Sequence, residues 1–259
     1  MDKESKEEFS VRAIYVVPND REPWGDAKRR ASEWLEDIQS FFACEMNRLR
    51  YGQKTFKIAK EENGELIFHQ VIIPWRREDL VQDPLRYCKE EIQNLKLRRG
   101  KDIAVCFHES YLFTPGEICG KGACSTGGNA FLSSLHLKLA IREWISDDTE
   151  YEGRVFEWIS PKPMESGILS WHGRGKKLGD VSGAAYGIMA HELGHCFGLR
   201  HDRSNDKNRR GNLMGNGCRG MRGYFRRGLT DDFCVLSEKS GALLNESPFF
   251  SVRQPEAKI

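Results

Sequence analysis

The sequence predicts an α+β fold in which a twisted mixed sheet of about five strands is backed by helices. Three observations lead to this prediction. Apolar runs with strand character alternate with amphipathic helical patterns in the first half of the chain, an Asn-Gly dipeptide marks a hairpin, and a Gly-Gly pair separates two later apolar segments. The composition, with 39% hydrophobic and 30% charged residues, is typical of a soluble globular protein. No apolar run is long enough to span a membrane.

The first elements follow from hydrophobic periodicity. The run VRAIYVVPN (11–19) predicts a buried strand that ends at Pro and Asn. A long amphipathic helix follows, and Gly52 comes after its end. Two strands are predicted around Asn63–Gly64, then a second helix from Asp83 to Arg98 and a strand in DIAVCFHE (102–109). The apolar positions of the long helix recur every three to four residues, at Ala31, Trp34, Leu35, Ile38, Phe41, Phe42 and Met46.

The second half of the chain contains shorter elements. The segment GKGACSTGGNAFLSS (120–134) predicts two strands that fold back at Gly127–Gly128. SLHLKLAIREWI (134–145) reads as helical and RVFEWIS (154–160) as a strand. A helix is expected from about Val181 to Gly198, and a last helix after Thr230, a residue type typical of an N-cap.

Charge and cysteine content bear on function class and compartment. The net charge of +2 is too close to balance to indicate a nucleic-acid binder. The N-terminus, MDKESKEEF, lacks the apolar stretch of a secretory signal. Eight cysteines leave the redox state open, because Cys119 with Cys124, or Cys218 with Cys234, would be able to form disulfides in an oxidising compartment.

The stretch MAHELGHCFGLRHD (189–202) holds three of the seven histidines. On a helix, His191 and His195 project from one face, one turn apart. That spacing lets two imidazole nitrogens bind one zinc ion at about 2.0–2.1 Å. Glu192 is rotated by about 100°, so it lies beside the ion, where a carboxylate can take a proton from water. Cys196 points away from the ligand face and is interpreted as packing.

A third ligand requires the chain to turn back. Gly198 enters the left-handed conformation at little cost and would end the helix. His201 then arrives as the third nitrogen. Three protein ligands leave a fourth position open, as in catalytic rather than structural zinc sites, so the expected cofactor is one catalytic Zn²⁺.

HELGHCFGLRH matches the H-E-x-x-H-x-x-G-x-x-H signature and thus resembles the metzincin clan of zinc metalloproteases. Asp202, which follows the motif, is similar to the adamalysin (reprolysin) branch. The resemblance implies a Met-turn beneath the zinc, with Met214 as the candidate and Met221 as second choice. It also implies one catalytic domain over residues 1–259, with an N-terminal lobe of about 10–200 and a small irregular C-terminal lobe of about 201–250.

The same resemblance implies a zinc-dependent endopeptidase in which Glu192 acts as general base and then as general acid. A polypeptide substrate would lie extended against an edge strand at Gly122, Ala123 and Cys124, beside the strand NAFLSS. Asp202 is interpreted as an anchor for a zinc-binding histidine. Metzincins are mostly secreted, so the resemblance implies an extracellular protein, although this N-terminus shows no signal peptide.

The chain departs from patterns found in the family in three respects. About 45 residues separate FLSS from the histidine helix, which indicates an insertion at the cleft. Asn216 stands where some metzincins carry a tyrosine ligand, so a tyrosine fifth ligand is not expected. No cysteine-switch propeptide precedes the first strand.

Two alternatives remain open. A zinc-binding but non-proteolytic interaction domain would keep the site for stability, although a structural site has no use for Glu192. The segment RGMRGYFRRG (219–228) has three readings: a nucleic-acid surface, a solvated loop, or, by the resemblance, a pocket wall that favours acidic or polar substrates. Of these, the nucleic-acid reading is the weakest, and no nucleic-acid partner or membrane span is expected. The oligomeric state is not indicated, so a monomer is the default.

Overall fold

The computed structural model describes residues 9–94, 96, 102–114, 117–119, 123–126, 128–150, 177–204, 210–228 and 232–253. Within these residues it has twelve strands, seven α-helices and three short 3-10 helices. The strands are β1 Ser10–Pro18, β2 Lys54–Thr55, β3 Lys57–Ile58, β4 Phe68–Ile73, β5 Ile103–His108, β6 Leu112–Thr114, β7 Glu117–Cys119, β8 Ala123–Thr126, β9 Asn129–Ser133, β10 Arg210–Asn212, β11 Phe233–Val235 and β12 Val252–Arg253. The helices are α1 Ala27–Arg48, α2 Arg77–Gln82, α3 Pro84–Asn94, α4 Ser134–Leu139, α5 Leu178–Cys196, α6 Arg222–Phe225 and α7 Glu238–Glu246.

The main sheet has six strands, in the order β3-β1-β5-β9-β8, with β4 also paired to β1. The pairings are parallel except that β8 runs antiparallel to β9. The central strands are buried on both faces, as parallel strands covered by helices usually are. The predicted α+β fold with a mixed sheet is therefore confirmed.

Side chains of β1 alternate between two hydrophobic clusters. Ala13, Tyr15 and Val17 lie in the larger cluster, which also holds the buried faces of α1 and α5. Ile14 and Val16 lie in the smaller cluster, with residues of α2 and α3. The period of two along a strand thus places helices on both faces of the sheet.

Helix α1 follows the predicted pattern. Its seven predicted apolar positions are all fully buried, and Gly52 beyond its end has φ +76°. The main structural role of α1 is to cover the same sheet face as α5, the helix that carries the histidine motif.

The predicted hairpin at Asn63–Gly64 is present only at its tip, where Lys60 and Leu66 form an isolated antiparallel bridge. Strands β3 and β4 do not pair with each other, because both pair in parallel with β1. Strands β3 and β4 thus pair with successive parts of β1, and residues 59–67 form a loop that connects them. The predicted second helix is α3, and the short α2 before it was not expected.

The predicted last helix begins later than expected. Residues 233–235 form β11, which pairs in parallel with β10. The helix α7 begins only after Ser237, whose hydroxyl accepts a hydrogen bond from the Ser240 amide. The strand predicted at 154–160 lies outside the described residues. Within the described ranges, no helix combines the length and hydropathy that a membrane span requires.

Candidate metal centre

Helix α5 carries His191 and His195 in its last two turns, and it ends in a Schellman turn. The amide of Leu199 donates to the Gly194 carbonyl, and the amide of Gly198 donates to the His195 carbonyl. Gly198 has φ +90°, a conformation that glycine adopts readily. The chain therefore reverses directly after the helix and returns His201 toward the two helical histidines.

The three histidine rings converge. Their nearest ring nitrogens all lie within 4.8 Å of one another. The Nε2 atom of His195 lies 3.1 Å from Nε2 of His191 and 3.1 Å from Nε2 of His201. Two nitrogens about 2.05 Å from a common ion, at this separation, subtend about 100° at that ion, close to tetrahedral geometry.

The hydrogen bonds of the outer ring nitrogens test whether these residues fit a metal. Nδ1 of His191 lies 2.8 Å from the Leu213 carbonyl oxygen, and Nδ1 of His195 lies 2.8 Å from that of Leu199. A carbonyl only accepts, so each Nδ1 carries the proton and each Nε2 presents a lone pair to the centre. Lone pairs that converge in this way repel one another unless a cation lies between them. The donor set therefore fits a divalent metal such as zinc.

Electrostatics favour the same protonation state at His191. Burial, with smaller contributions from His195, His201 and Arg219, lowers the pKa of His191 to about 4, although the hydrogen bond to the Leu213 carbonyl opposes this shift. A ring that is neutral at physiological pH is the form that binds a metal.

Met214 is fully buried and lines the same pocket as His191 and His201. A Cβ atom at Gly194 would come within 2.7 Å of its sulfur, so this glycine allows the thioether to approach the helix. The Met214 carbonyl accepts a hydrogen bond from the Asp202 amide, which connects the segment after His201 to the methionine. Met221, the second choice from the sequence, is the N-cap residue of α6.

The carboxylate of Asp202 does not contact a histidine ring through any hydrogen bond of the described residues. It accepts hydrogen bonds from the amide and hydroxyl of Ser204. The groups that orient His191 and His195 are main-chain carbonyls, for which the sequence carries no signal.

Glu192 lines two pockets, one on each side of the histidine cluster. One pocket, of about 230 Å³, lies between α5 and the segment from Met214 to Arg219. The other, of about 430 Å³, lies between α5 and β8. The Glu192 side chain lines both, and among the described residues it makes no hydrogen bond or ion pair. Both carboxylate oxygens are thus available to a molecule in the cleft.

Strand β8 is the edge of the sheet on this side, since its only ladder within the described residues is with β9. Ala123 and Cys124 line the cleft, as do Ser125 and Thr126; Gly122 lies outside the described residues. Cys196, interpreted from the sequence as packing, packs partly against the core but also lines the pocket beside β8.

The four arginines of the segment 219–228 have different environments. Arg219 lines the smaller pocket. Arg222 is buried and pairs with Asp180 and Asp148. Arg226 also pairs with Asp148, and Arg227 lies over the Tyr224 ring. Arg203 also lines the pocket, and the sequence motif did not single it out.

Of the two disulfides that the sequence allows, the structure describes both side chains only for the pair Cys218–Cys234. Cys234 is a free thiol, so the pair Cys218–Cys234 is not bridged in this structure. Burial and the proximity of Cys218 raise the pKa of the Cys234 thiol well above its usual value. The side chain of Cys119 lies outside the described residues.

Comparisons with known proteins identify the fold. No family profile and no curated protein sequence matches this chain. Catalytically inactive OgpA from Akkermansia muciniphila, in complex with an O-glycopeptide (glycodrosocin) substrate, matches with a TM-score of 0.63 and 20% identity, over 97% of this chain and 64% of that chain. Wild-type OgpA matches with a TM-score of 0.59 and 19% identity, over 100% of this chain and 68% of that chain.

Archaemetzincin from Methanopyrus kandleri matches with 14% identity over 93% of this chain and 89% of that chain, but its TM-score of 0.33 is too low to bear on the fold. This chain spans 64% of the length of the first OgpA chain. Identities near 20% are informative about fold alone. The chain has the fold of OgpA, an α+β architecture with a mixed sheet backed by helices.

Proposed function

We propose that this chain is a zinc-dependent peptidase that hydrolyses peptide bonds in an extended polypeptide. The observation that carries the proposal is the convergence of three Nε2 atoms beside a carboxylate that has no other partner among the described residues. The alternative, a zinc-binding module without activity, gives no role to Glu192.

His191, His195 and His201 would hold the metal. When bound, zinc supplies Lewis-acid chemistry, since it polarises a carbonyl group and lowers the pKa of water. The carbonyls of Leu213 and Leu199 keep His191 and His195 in the required tautomer. Met214 supports the rings from below and has no contact with substrate in this proposal.

Glu192 would move the proton. Its carboxylate accepts a proton from the attacking water as the oxygen bonds to the scissile carbonyl carbon. It then donates that proton to the amide nitrogen as the C–N bond breaks, so that the amine leaves neutral. A carboxylate with no competing ion pair is suited to both transfers.

The open edge of β8 would bind the substrate. An extended peptide adds a strand by main-chain hydrogen bonds and needs no particular side chains for this contact. Ala123 and Cys124 line the cleft beside the histidines, so a peptide paired with this strand would have its scissile bond near Glu192. Because one OgpA structure contains an O-glycopeptide substrate, O-glycopeptides are a second substrate class to test. We further propose that residues 1–259 act as one catalytic unit, with lobes of about 10–200 and 201–250 on either side of the cleft.

The decisive experiment combines metal analysis with a proton-transfer variant. Zinc content is measured by mass spectrometry on wild type, Glu192→Gln and Glu246→Gln, and cleavage is followed on an unfolded protein, a peptide library and an O-glycopeptide set. Glu246 is exposed at the end of α7 and serves as the matched control. We expect about one zinc per chain in all three proteins.

The rate of substrate cleavage should distinguish Glu192→Gln from wild type and from Glu246→Gln. We expect Glu192→Gln to lose about 10²- to 10⁴-fold in turnover and Glu246→Gln to match wild type. A chain that binds no zinc contradicts the proposal. A wild type that binds zinc but is as inert as Glu192→Gln on every substrate class supports the non-proteolytic module.

A further inference from the structure

Among the described residues that line the pocket beside His191, two are arginines and Glu192 is the one acidic residue. It is lined by apolar groups of Ile188, Met214 and Cys218, with Arg219 and Arg203 as its cations. A pocket of about 230 Å³ suits a single side chain, and the charges of its lining determine which kind of side chain it accepts.

Neither arginine is neutralised by a described carboxylate. Arg219 is half-buried, and its Nη1 donates to the neutral side-chain oxygen of Asn216 at 2.9 Å. Arg203 is exposed and has no ion pair in the described part of the chain. A half-buried guanidinium with one neutral acceptor keeps most of its five N–H donors for another partner.

Neighbouring arginines show that this arrangement is specific to the pocket. Arg222 is buried and pairs with Asp180 at 2.9 Å and Asp148 at 2.7 Å. Arg226 pairs with Asp148 at 3.2 Å. Arg227 lies 3.8 Å from Glu45. Within the described residues, the arginines of the segment that lie outside the pocket therefore pair with carboxylates, whereas Arg219, which lines the pocket, has no such pair.

From this contrast we infer that the pocket selects a carboxylate on the substrate, next to the scissile bond, and that Arg219 is its main determinant of specificity. The inference rests on the proposed peptidase function, whose cleft this is. The Arg219 guanidinium would bind the carboxylate, Asn216 would hold that guanidinium in position, and Arg203 would add charge at the pocket rim. The carboxylate belongs either to an Asp or Glu side chain or to an acidic sugar of an O-glycopeptide.

The test compares matched substrates and variants. Peptides that carry Glu, Gln, Leu or Lys at each position around the cleavage site are assayed with wild type, Arg219→Gln, Arg219→Lys and Arg203→Gln. Arg227→Gln is the control, since Arg227 belongs to the same segment but stacks on Tyr224 outside the pocket. O-glycopeptides with a neutral or an acidic sugar form the second arm.

We expect wild type to favour Glu over Gln in kcat/KM by roughly ten- to a hundred-fold at one position, as a partly buried charged hydrogen bond would produce. Arg219→Gln should abolish that preference, and Arg219→Lys should keep part of it, because lysine retains the charge but not the bidentate geometry. Arg203→Gln should reduce it slightly, and Arg227→Gln should leave it unchanged. If only the acidic-sugar substrate shows the Arg219-dependent preference, the carboxylate is that of the glycan.

A binding assay keeps this inference separate from the proposed function. The same peptides and glycopeptides are titrated against Glu192→Gln with and without Arg219→Gln, by fluorescence anisotropy. An Arg219-dependent preference for the carboxylate in binding supports the inference even if wild type cleaves nothing. Equal affinities and equal kcat/KM for acidic and neutral substrates, or no binding of either, overturn it.

Discussion

The backbone carbonyl of Cys218 occupies the space that a side chain at Gly187 would need. A Cβ atom at Gly187 would lie 1.7 Å from that oxygen. The segment that forms one wall of the candidate specificity pocket therefore packs directly on α5, the helix that carries His191 and Glu192.

This contact predicts that Gly187→Ala destabilises the protein. In a helix the change from Gly to Ala normally adds up to about 1 kcal/mol of stability, but here the clash must move either α5 or the Cys218 backbone. We expect a net loss of about 1–3 kcal/mol in the free energy of unfolding, measured by urea denaturation. Gly25→Ala is the control, because a Cβ there meets nothing within 4 Å, and it should change stability by less than about 0.5 kcal/mol. Equal stability of the two variants would contradict the packing argument.

Substitutions at Gly198 test whether the turn after α5 is needed to bring His201 to the other two histidines. Its φ is +90°, and a Cβ there would meet no atom within 4 Å. Gly198→Ala therefore tests backbone conformation alone and should cost about 1–2 kcal/mol. Gly198→Asn should cost less, since asparagine tolerates the left-handed region. We expect zinc affinity, measured by competition with a chelator, to fall more for Ala than for Asn. The same affinity in both variants would show that the turn does not control His201.

Arg222 forms a buried ion pair that joins α6 to the start of α5. Its Nη1 lies 2.9 Å from Asp180 Oδ1, and both side chains are nearly inaccessible. Arg222→Gln removes the buried cation that balances the charge of Asp180, so we expect a loss of about 3–5 kcal/mol in the free energy of unfolding. Arg226→Gln removes only a pair with an exposed carboxylate and should cost less than about 1 kcal/mol. Thermal unfolding of both variants measures this difference in stability. Similar melting temperatures for the two variants would contradict the stabilising role of the buried pair.

Glu109 gives the fold a dependence on pH. Its buried carboxylate accepts hydrogen bonds from Tyr15, Arg21 and Lys138. Burial raises the pKa of Glu109, but Lys138 and the hydrogen bonds outweigh it and hold the pKa below its usual 4.5. A lowered folded pKa means that the stabilisation is present above about pH 4.5 and is lost as the pH falls through the folded value.

We therefore expect the stability difference between wild type and Glu109→Gln to be largest near neutral pH and to shrink below about pH 4.5. Urea unfolding at about pH 7 and at successively lower pH measures it. Glu246→Gln, at an exposed position, should show almost no difference throughout. A Glu109 difference that stays constant with pH would exclude the ion-pair explanation.

The parts of the fold that were predictable depend on residues close in sequence. The period of α1 placed seven apolar side chains on one face, and all are buried. The predicted helix was wrong at residues 233–235 because a contact distant in sequence determines their structure. These residues form a strand by pairing with β10, more than twenty positions earlier. The hairpin at Asn63–Gly64 failed to extend for the same reason, since β3 and β4 each pair with β1 instead.

The same division holds for the candidate metal centre. By itself the sequence determined which residues can share one ion, because the helical period places His191 and His195 on one face and Gly198 permits the turn before His201. Only the tertiary structure decided that the Leu213 carbonyl orients His191, that Arg219 faces the cleft while Arg222 is buried, and that Gly187 admits the Cys218 backbone. Spacing along a helix is set by local backbone geometry, whereas these contacts join segments far apart in the chain and exist only once α5 and the following loop have packed together.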